Sequence, residues 1–323
     1  MSNLIENNYI KQNIRGTKSS ASSIWAIAGG KGGVGKSFVS SSLGIFLANM
    51  GFKTLLVDLD LGAANLHTCL GEQESRSNLN HFLKDPTAPL SSAISPTNFN
   101  NLSILGGGND SLDVANISVE QKTRLMSALY SHPSDFILLD LSAGTHDTTI
   151  DFFLMANEHL IVTTPEPSSM ENAYRFMKAA FFRHLKRYES QFLLGPVIAE
   201  LMNSKNELGI RSPADLLTLI FQRDPVNGAR LQQQMQNFIF KIILNQTRTF
   251  KDVNLGSSIR SVSQKYFGIQ ADFLGHVDFD NAVWQSLRKR KHLLVEYPHS
   301  RLYSQLMHIS RKLAAPHFKR VAV

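Results

Sequence analysis

The chain is 323 residues long, 43% hydrophobic and 18% charged, with a net charge of +7. That length suits one large α/β domain or two smaller ones, and the composition supplies ample material for a core. No apolar run approaches the roughly 18 residues of a membrane-spanning helix, and the polar first twenty residues carry no export-type apolar stretch. Cys69, the single cysteine, excludes an internal disulfide and any paired-cysteine metal or redox site. A cytosolic protein is expected. Charge is unevenly placed: from Asn281 onward nine Lys/Arg stand against one acid, Glu296. Such a region suits nucleic acid or anionic lipid, or is a solvated helix face.

Residues 1–22, rich in Ser, Asn and Lys, read as a flexible arm. Ile24–Ala28 reads as a buried strand, followed by a glycine-rich loop. A helix is expected from about Ser37 to Met50, with Val39, Leu43, Phe46, Leu47 and Met50 on one face and Gly51 as its stop. Thr54–Val57 is the next strand, running into Asp58-Leu-Asp60. Further strands are expected at Leu102–Leu105, Phe136–Leu141, Leu160–Thr164, Phe238–Leu244 and Phe273–Val277. Ser118 with Gln121 and Ser168 with Glu171 have capping-box spacing. Continuous apolar strands alternating with helices predict a doubly wound, mostly parallel α/β sheet covered on both faces. The domain is placed at 23–315, with a helical insertion at about 203–237 and a basic tail at 316–323.

Gly30-Lys-Gly-Gly-Val-Gly-Lys-Ser37 fits GxxxxGK[ST] between a strand and a helix. The glycines Gly30, Gly32, Gly33 and Gly35 let the backbone curl around phosphates with its N–H groups inward, at a helix N-terminus. The loop as a whole, with Lys31, Val34 and Phe38, is the candidate nucleotide cradle. Lys36 can reach the β- and γ-phosphates, and the Ser37 hydroxyl can ligate Mg²⁺. Asp58 and Asp60 fall at the sheet edge where ligands bind in such folds, or cap the following helix. Phe136-Ile-Leu-Leu-Asp140 is an apolar strand ending in an acid, placing Asp140 as a water-mediated Mg²⁺ holder. Asn245 ends another strand, where asparagine often serves a turn. His146 and Asp147 are read as helix-start residues.

With Lys31 inside it, GKGGVGKS resembles the deviant Walker A motif of the MinD/ParA family, and the likeness extends over roughly Ser23–Leu313. The resemblance implies a P-loop ATPase that closes a homodimer around ATP and Mg²⁺, Lys31 reaching the partner protomer's phosphates. Asp58-Leu-Asp-Leu-Gly-Ala-Ala-Asn65 resembles the family's DxDxGxxN segment. By that likeness Asp60 orients the attacking water and Asp58 supports magnesium-bound water. Gly144, in Asp140-Leu-Ser-Ala-Gly, would offer its N–H to the γ-phosphate, although relatives carry Asp-Thr-Pro-Ala-Gly. Asn245 would bond adenine, and Gly275–Asp280 would close over the base, with Asp278 where relatives have Pro. The catalytic set implied is Lys31, Lys36 and Asp60, and the metal set Ser37, Asp58 and Asp140. No Asn/Thr-Lys-x-Asp guanine motif occurs, which favours ATP.

Thr163-Thr-Pro-Glu-Pro-Ser-Ser169, followed by Ala173-Tyr174, is similar to flagellar number regulators of the FlhG/FleN type. That branch implies a weak, partner-stimulated ATPase acting as a spatial or number regulator, with an FlhF-like GTPase among its partners. It also implies a cytoplasmic protein with or without peripheral attachment to the inner face of the plasma membrane. The arm lacks the Gln-Ala-x-x-Leu-type motif of such regulators, and the insertion is longer than theirs. Two alternatives stand: a partition-type ATPase on nonspecific DNA through Arg288–Lys291, and a nucleotide-gated switch with negligible hydrolysis. The stripe Leu302, Leu306, Ile309 and Leu313 reads as core-covering, and Phe318, Val321 and Val323 as candidates for lipid contact. Iron–sulfur carriage is excluded, because clusters require several cysteines.

Overall fold

Alternation decides the sheet. In β1 (Ser23–Ala28), Ile24, Ala26 and Ala28 face one side and Trp25 and Ile27 the other, and all five are at most 1% exposed. A strand buried on both faces belongs inside a parallel sheet covered by helices. The computed structural model describes residues 22–61, 64–75, 77–108 and 117–321, without the side chains of Ser257 and 318–321. The expected arm lies outside the described residues apart from Ser22, as do the side chains of Phe318, Val321 and Val323.

The other strands are β2 (Thr54–Leu59), β3 (Ser95–Pro96), β4 (Leu102–Leu105), β5 (Phe136–Leu141), β6 (Glu158–Thr163), β7 (Phe240–Thr247) and β8 (Ala271–Asp278). Their order is β3-β4-β2-β5-β1-β6-β7-β8, parallel throughout except for the short edge strand β3. This is the expected doubly wound fold.

One face carries α3 (Leu79–Lys84), α4 (Val119–Tyr130), α5 (Asp147–Met155), α6 (Pro167–Gln191), α7 (Gly195–Asn203), α8 (Pro213–Arg223), α9 (Pro225–Gln236) and α10 (Phe250–Phe267). The opposite face carries α1 (Lys36–Asn49), α2 (Leu66–Leu70), α12 (Leu293–Glu296) and α13 (Arg301–Val321). Between β8 and α12 lies α11 (Asn281–Arg288). On α13, Leu302, Leu306, Ile309 and Leu313 are at most 1% exposed, so this stripe covers the sheet as expected. Helix α13 continues through Pro316 to Val321, so residues 316–321, expected as a tail, prolong it.

Three boundaries differ from the sequence reading. The capping box at Ser118 and Gln121 forms, but Ser168 does not cap α6. That helix starts earlier, at Pro167 with Glu166 before it, because proline's fixed φ and missing N–H suit the first helical position. Strand β7 runs to Thr247, which puts Asn245 inside the strand rather than after it. The segment at 203–237 forms α8 and α9, and Leu216, Ile220, Leu231 and Met235 are buried in the same core as Phe240 and Phe267. The segment is therefore built into the core. Truncating Leu231 to Ala should lower unfolding free energy by about 2–5 kcal/mol. The whole chain should still melt in one urea transition; a separate early transition would mean that α8–α9 is an independent unit.

Candidate nucleotide site

The loop after β1 turns at the carboxyl ends of the central strands, where open α/β sheets bind ligands. It is wedged between two other elements. A Cβ on Gly30 would overlap the backbone carbonyl of Asn172 in α6. Gly35, at φ +87°, combines a left-handed backbone with the amide of Asn245 directly above it. Asn245 Nδ2 donates to the Val34 carbonyl at 2.8 Å, and Gln246 Nε2 donates to the Gly33 carbonyl at 3.2 Å. Strand β7 thus clamps the tip of the loop. Asn245, expected to bond adenine, has one amide N–H directed to the loop itself.

Lys36 is buried at the start of α1. Around it stand the acids. Asp58 and Asp140 occupy paired positions on adjacent strands and are each 1% exposed. Asp58 accepts the N–H of Asp60 at 3.1 Å and of Leu66 at 3.0 Å, which holds the start of α2. Its carboxyl is pushed well above the ordinary range by burial and then by the Asp140 charge. Burial likewise raises Asp140, against the opposing pull of Ser37, Lys36 and the Ser40 hydroxyl, which donates to it at 2.9 Å. Asp60, half-buried, is raised by burial and drawn back by Lys36.

Two buried carboxylates with raised affinity for protons suit a divalent cation, which substitutes for the proton. Among the described residues no group of three or more His, Cys, Asp or Glu is arranged to hold a metal alone. That donor set fits Mg²⁺, which keeps most of its waters and relies on phosphates with one or two protein oxygens. The Ser37 hydroxyl and the two acids are the residues available to it.

Lys31 is 44% exposed at the rim. Its Nζ lies 3.6 Å from Glu166 and 3.2 Å from the Ser168 hydroxyl. The turn before α6 is pinned by Ser169, whose hydroxyl accepts the Thr164 N–H at 3.1 Å. An ion pair this exposed contributes about 0–1 kcal/mol, so Lys31 can exchange its partners readily. Gly144 has φ +93° just past β5, the conformation of a tight turn. His146 and Asp147 start α5 as expected, and Asp147 pairs with Arg183.

Glu166, Ser168, Ser40 and Gln246 were not identified as site residues from the sequence. Glu166 and Ser168 lie in the quoted TTPEPSS segment, so their motif was visible and their contact with Lys31 was not. Gln246 at φ +60° carried no signal, because a non-glycine left-handed residue follows no pattern. Next to the site, the Arg248 guanidinium lies 3.8 Å over the Phe279 ring. In the basic region, Lys289 and Lys291 both pair with Glu296, and Arg288 lies over Trp284.

Loop, lysine and paired acids on this sheet define a P-loop NTPase. Residues 20–187 match the family model described as "ParA: NUBPL iron-transfer P-loop NTPase". The chain belongs to the ParA/MinD family of P-loop NTPases. It is 29% identical over 192 residues to a putative septum site-determining protein MinD of Oltmannsiellopsis viridis, covering 59% of this chain and 60% of that one. It is 31% identical over 160 residues to the antiactivator FleN of Pseudomonas aeruginosa, covering 47% of this chain and 54% of that one. The chain thus spans little more than half the length of these two relatives. The fold matches the septum site-determining protein MinD of Pyrococcus horikoshii OT3, solved with Mg-ADP, at a TM-score of 0.61 and 22% identity, covering 90% and 96% of the two chains.

Two outcomes test the site. Gly30→Ala should weaken binding of a fluorescent ATP analogue at least tenfold, because the new methyl must displace the α6 backbone; unchanged affinity would show that loop and helix are not packed as described. The raised carboxyls make the second test one of pH. The folded protein holds protons here that the unfolded chain releases at about pH 4, so these groups reduce stability as pH rises above that range. The melting temperature of metal-free Asp58→Asn should therefore gain on wild type as pH rises from about 4 to about 7 and hold level above that. A pH-independent difference would remove the strain assigned to Asp58.

Proposed function

We propose that this protein is an ATP-dependent dimerising ATPase that acts as a spatial or number regulator, of flagella in the first instance. The observation that carries the reading is Lys31: a second lysine in the phosphate loop, standing exposed at its rim and held by a weak ion pair with Glu166 and a hydrogen bond to Ser168. A cation there cannot be needed to stabilise the loop, and it is free to meet the phosphates of a second protomer. The likeness to FleN and to MinD-type septum proteins supports regulation of position or number.

In this reading Gly30–Phe38 wraps the polyphosphate, with Lys36 on the β- and γ-phosphates and Ser37, Asp58 and Asp140 holding Mg²⁺. When bound, magnesium neutralises charge on the transferred phosphoryl group. Asp60 orients the attacking water, Gly144 offers its N–H to the γ-phosphate, and Lys31 from the partner neutralises charge as an arginine finger does. Asn245 sets the loop tip and presents its remaining amide oxygen toward the base. Hydrolysis to ADP and phosphate returns the dimer to monomer. Residues 23–315 act as one ATPase domain, with 316–323 its basic extension. A dimer doubles weak surface contacts into useful avidity. The surface is the inner face of the plasma membrane or, in the partition-type alternative, nonspecific DNA; a regulatory partner such as an FlhF-like GTPase completes the system.

Asp60→Ala should bind ATP, form stable dimers in size-exclusion chromatography and lose at least 90% of turnover. Lys31→Ala should remain monomeric with ATP. If Asp60→Ala turns over at the wild-type rate, the protein is a nucleotide-gated switch and Asp60 has no catalytic role.

A further inference from the structure

We infer that the cleft between β8 and α13 is a second ligand site, taking a small phosphate-bearing anion. It stands on its own geometry and does not depend on the nucleotide reading. The cleft has a volume of about 380 Å³, within the range of roughly 300–1,000 Å³ usual for small-molecule sites. Gly275, at φ +155°, lines it; a Cβ there would stand 3.1 Å from Ile309, which packs against it from α13.

The lining is unbalanced in hydrogen-bonding capacity. Arg301 uses Nε on Asp278 at 3.1 Å, which leaves both terminal nitrogens of its fork. Gln305 uses its oxygen to accept the Asp278 N–H at 3.0 Å, which leaves its amide N–H groups. Ser304 and His308 make no hydrogen bond or ion pair among the described residues, and His276 has only a 3.7 Å approach to Asp278. No carboxylate is among the residues lining the cleft. Asp278, behind it, is already engaged by Arg301 and by the Thr247 hydroxyl at 2.8 Å. The residues lining the cleft therefore carry a guanidinium, an amide, a hydroxyl and two imidazoles, all able to donate. A compact anion with several acceptor oxygens matches that set, and a guanidinium fork favours phosphate. Four of these donors form a row along α13, and a free metabolite fits better than a membrane because Gly275 and His276 of β8 line the side of the cleft across from that row.

The test is isothermal titration of inorganic phosphate and glycerol 3-phosphate into the full chain. The phosphate loop is removed from the reading in two ways: by saturation with Mg-AMP-PNP, and by a Lys36→Ala background without nucleotide. One saturable site is expected in both, weakened at least tenfold by Arg301→Met and by His308→Ala. Both positions are exposed, and circular dichroism melting should place both variants within a few degrees of the parent. Absence of binding overturns the inference, as does binding indifferent to both substitutions. Arg301-dependent binding to phosphatidate vesicles without binding of either soluble probe also overturns it, and assigns the cleft to a lipid headgroup. Loss of AMP-PNP binding would count against the nucleotide reading alone, since the Lys36→Ala arm needs no nucleotide.

Discussion

The site depends on one electrostatic constraint: Asp58 and Asp140, carried on neighbouring strands, are buried side by side with Lys36 as the nearest full positive charge. Like charges in a low-dielectric interior repel strongly, and each carboxyl responds by holding its proton. The fold keeps them there because β2 and β5 are central strands whose register is set by apolar residues on both faces. Ser40 and the backbone N–H groups of Asp60 and Leu66 fix the orientation of the two acids. A cation that arrives with a polyphosphate resolves the repulsion and meets Lys36 with negative charge of its own. The same arrangement that weakens the protein at neutral pH is thus one that a metal–phosphate pair would relieve.

Local chemistry made much of this visible in the sequence. The phosphate loop is a contiguous motif whose strand and helix neighbours follow from periodicity, so Gly30–Ser37 could be placed without knowing the tertiary fold. Asp58 and Asp140 were placed for the same reason, each being the first acid after an apolar strand. The partners of Asn245 and Gln246 lie more than two hundred residues away, and no local pattern announces a hydrogen bond to a loop carbonyl. Ser168 failed in a different way. It had the spacing of a capping residue, but Pro167 moved the helix start, and the freed hydroxyl became a partner of Lys31.

The segment at 203–237 shows why composition alone separates an insertion from a core element poorly. Its helices are short and amphipathic, as a surface addition would be. Their apolar faces, however, pack under α6 and α10 and bury Leu216, Ile220, Leu231 and Met235. Only the position of α10 relative to the sheet decides that, and this position follows from the connection between β7 and β8.

Asp58 also holds the start of a short helix. Asp58 accepts the Leu66 N–H at the start of α2, and at the end of that helix Gly71 lies against the Arg290 carbonyl so closely that a Cβ would overlap it. The basic segment at Arg288–Lys291 therefore rests on a five-residue helix whose other end is tied to Asp58. That segment carries four of the cations that make the C-terminal region basic. Contiguous contact of this kind is the route that coupling between two sites requires. A short helix held at one end by a buried carboxylate thus joins the paired acids to a charged surface through packing alone.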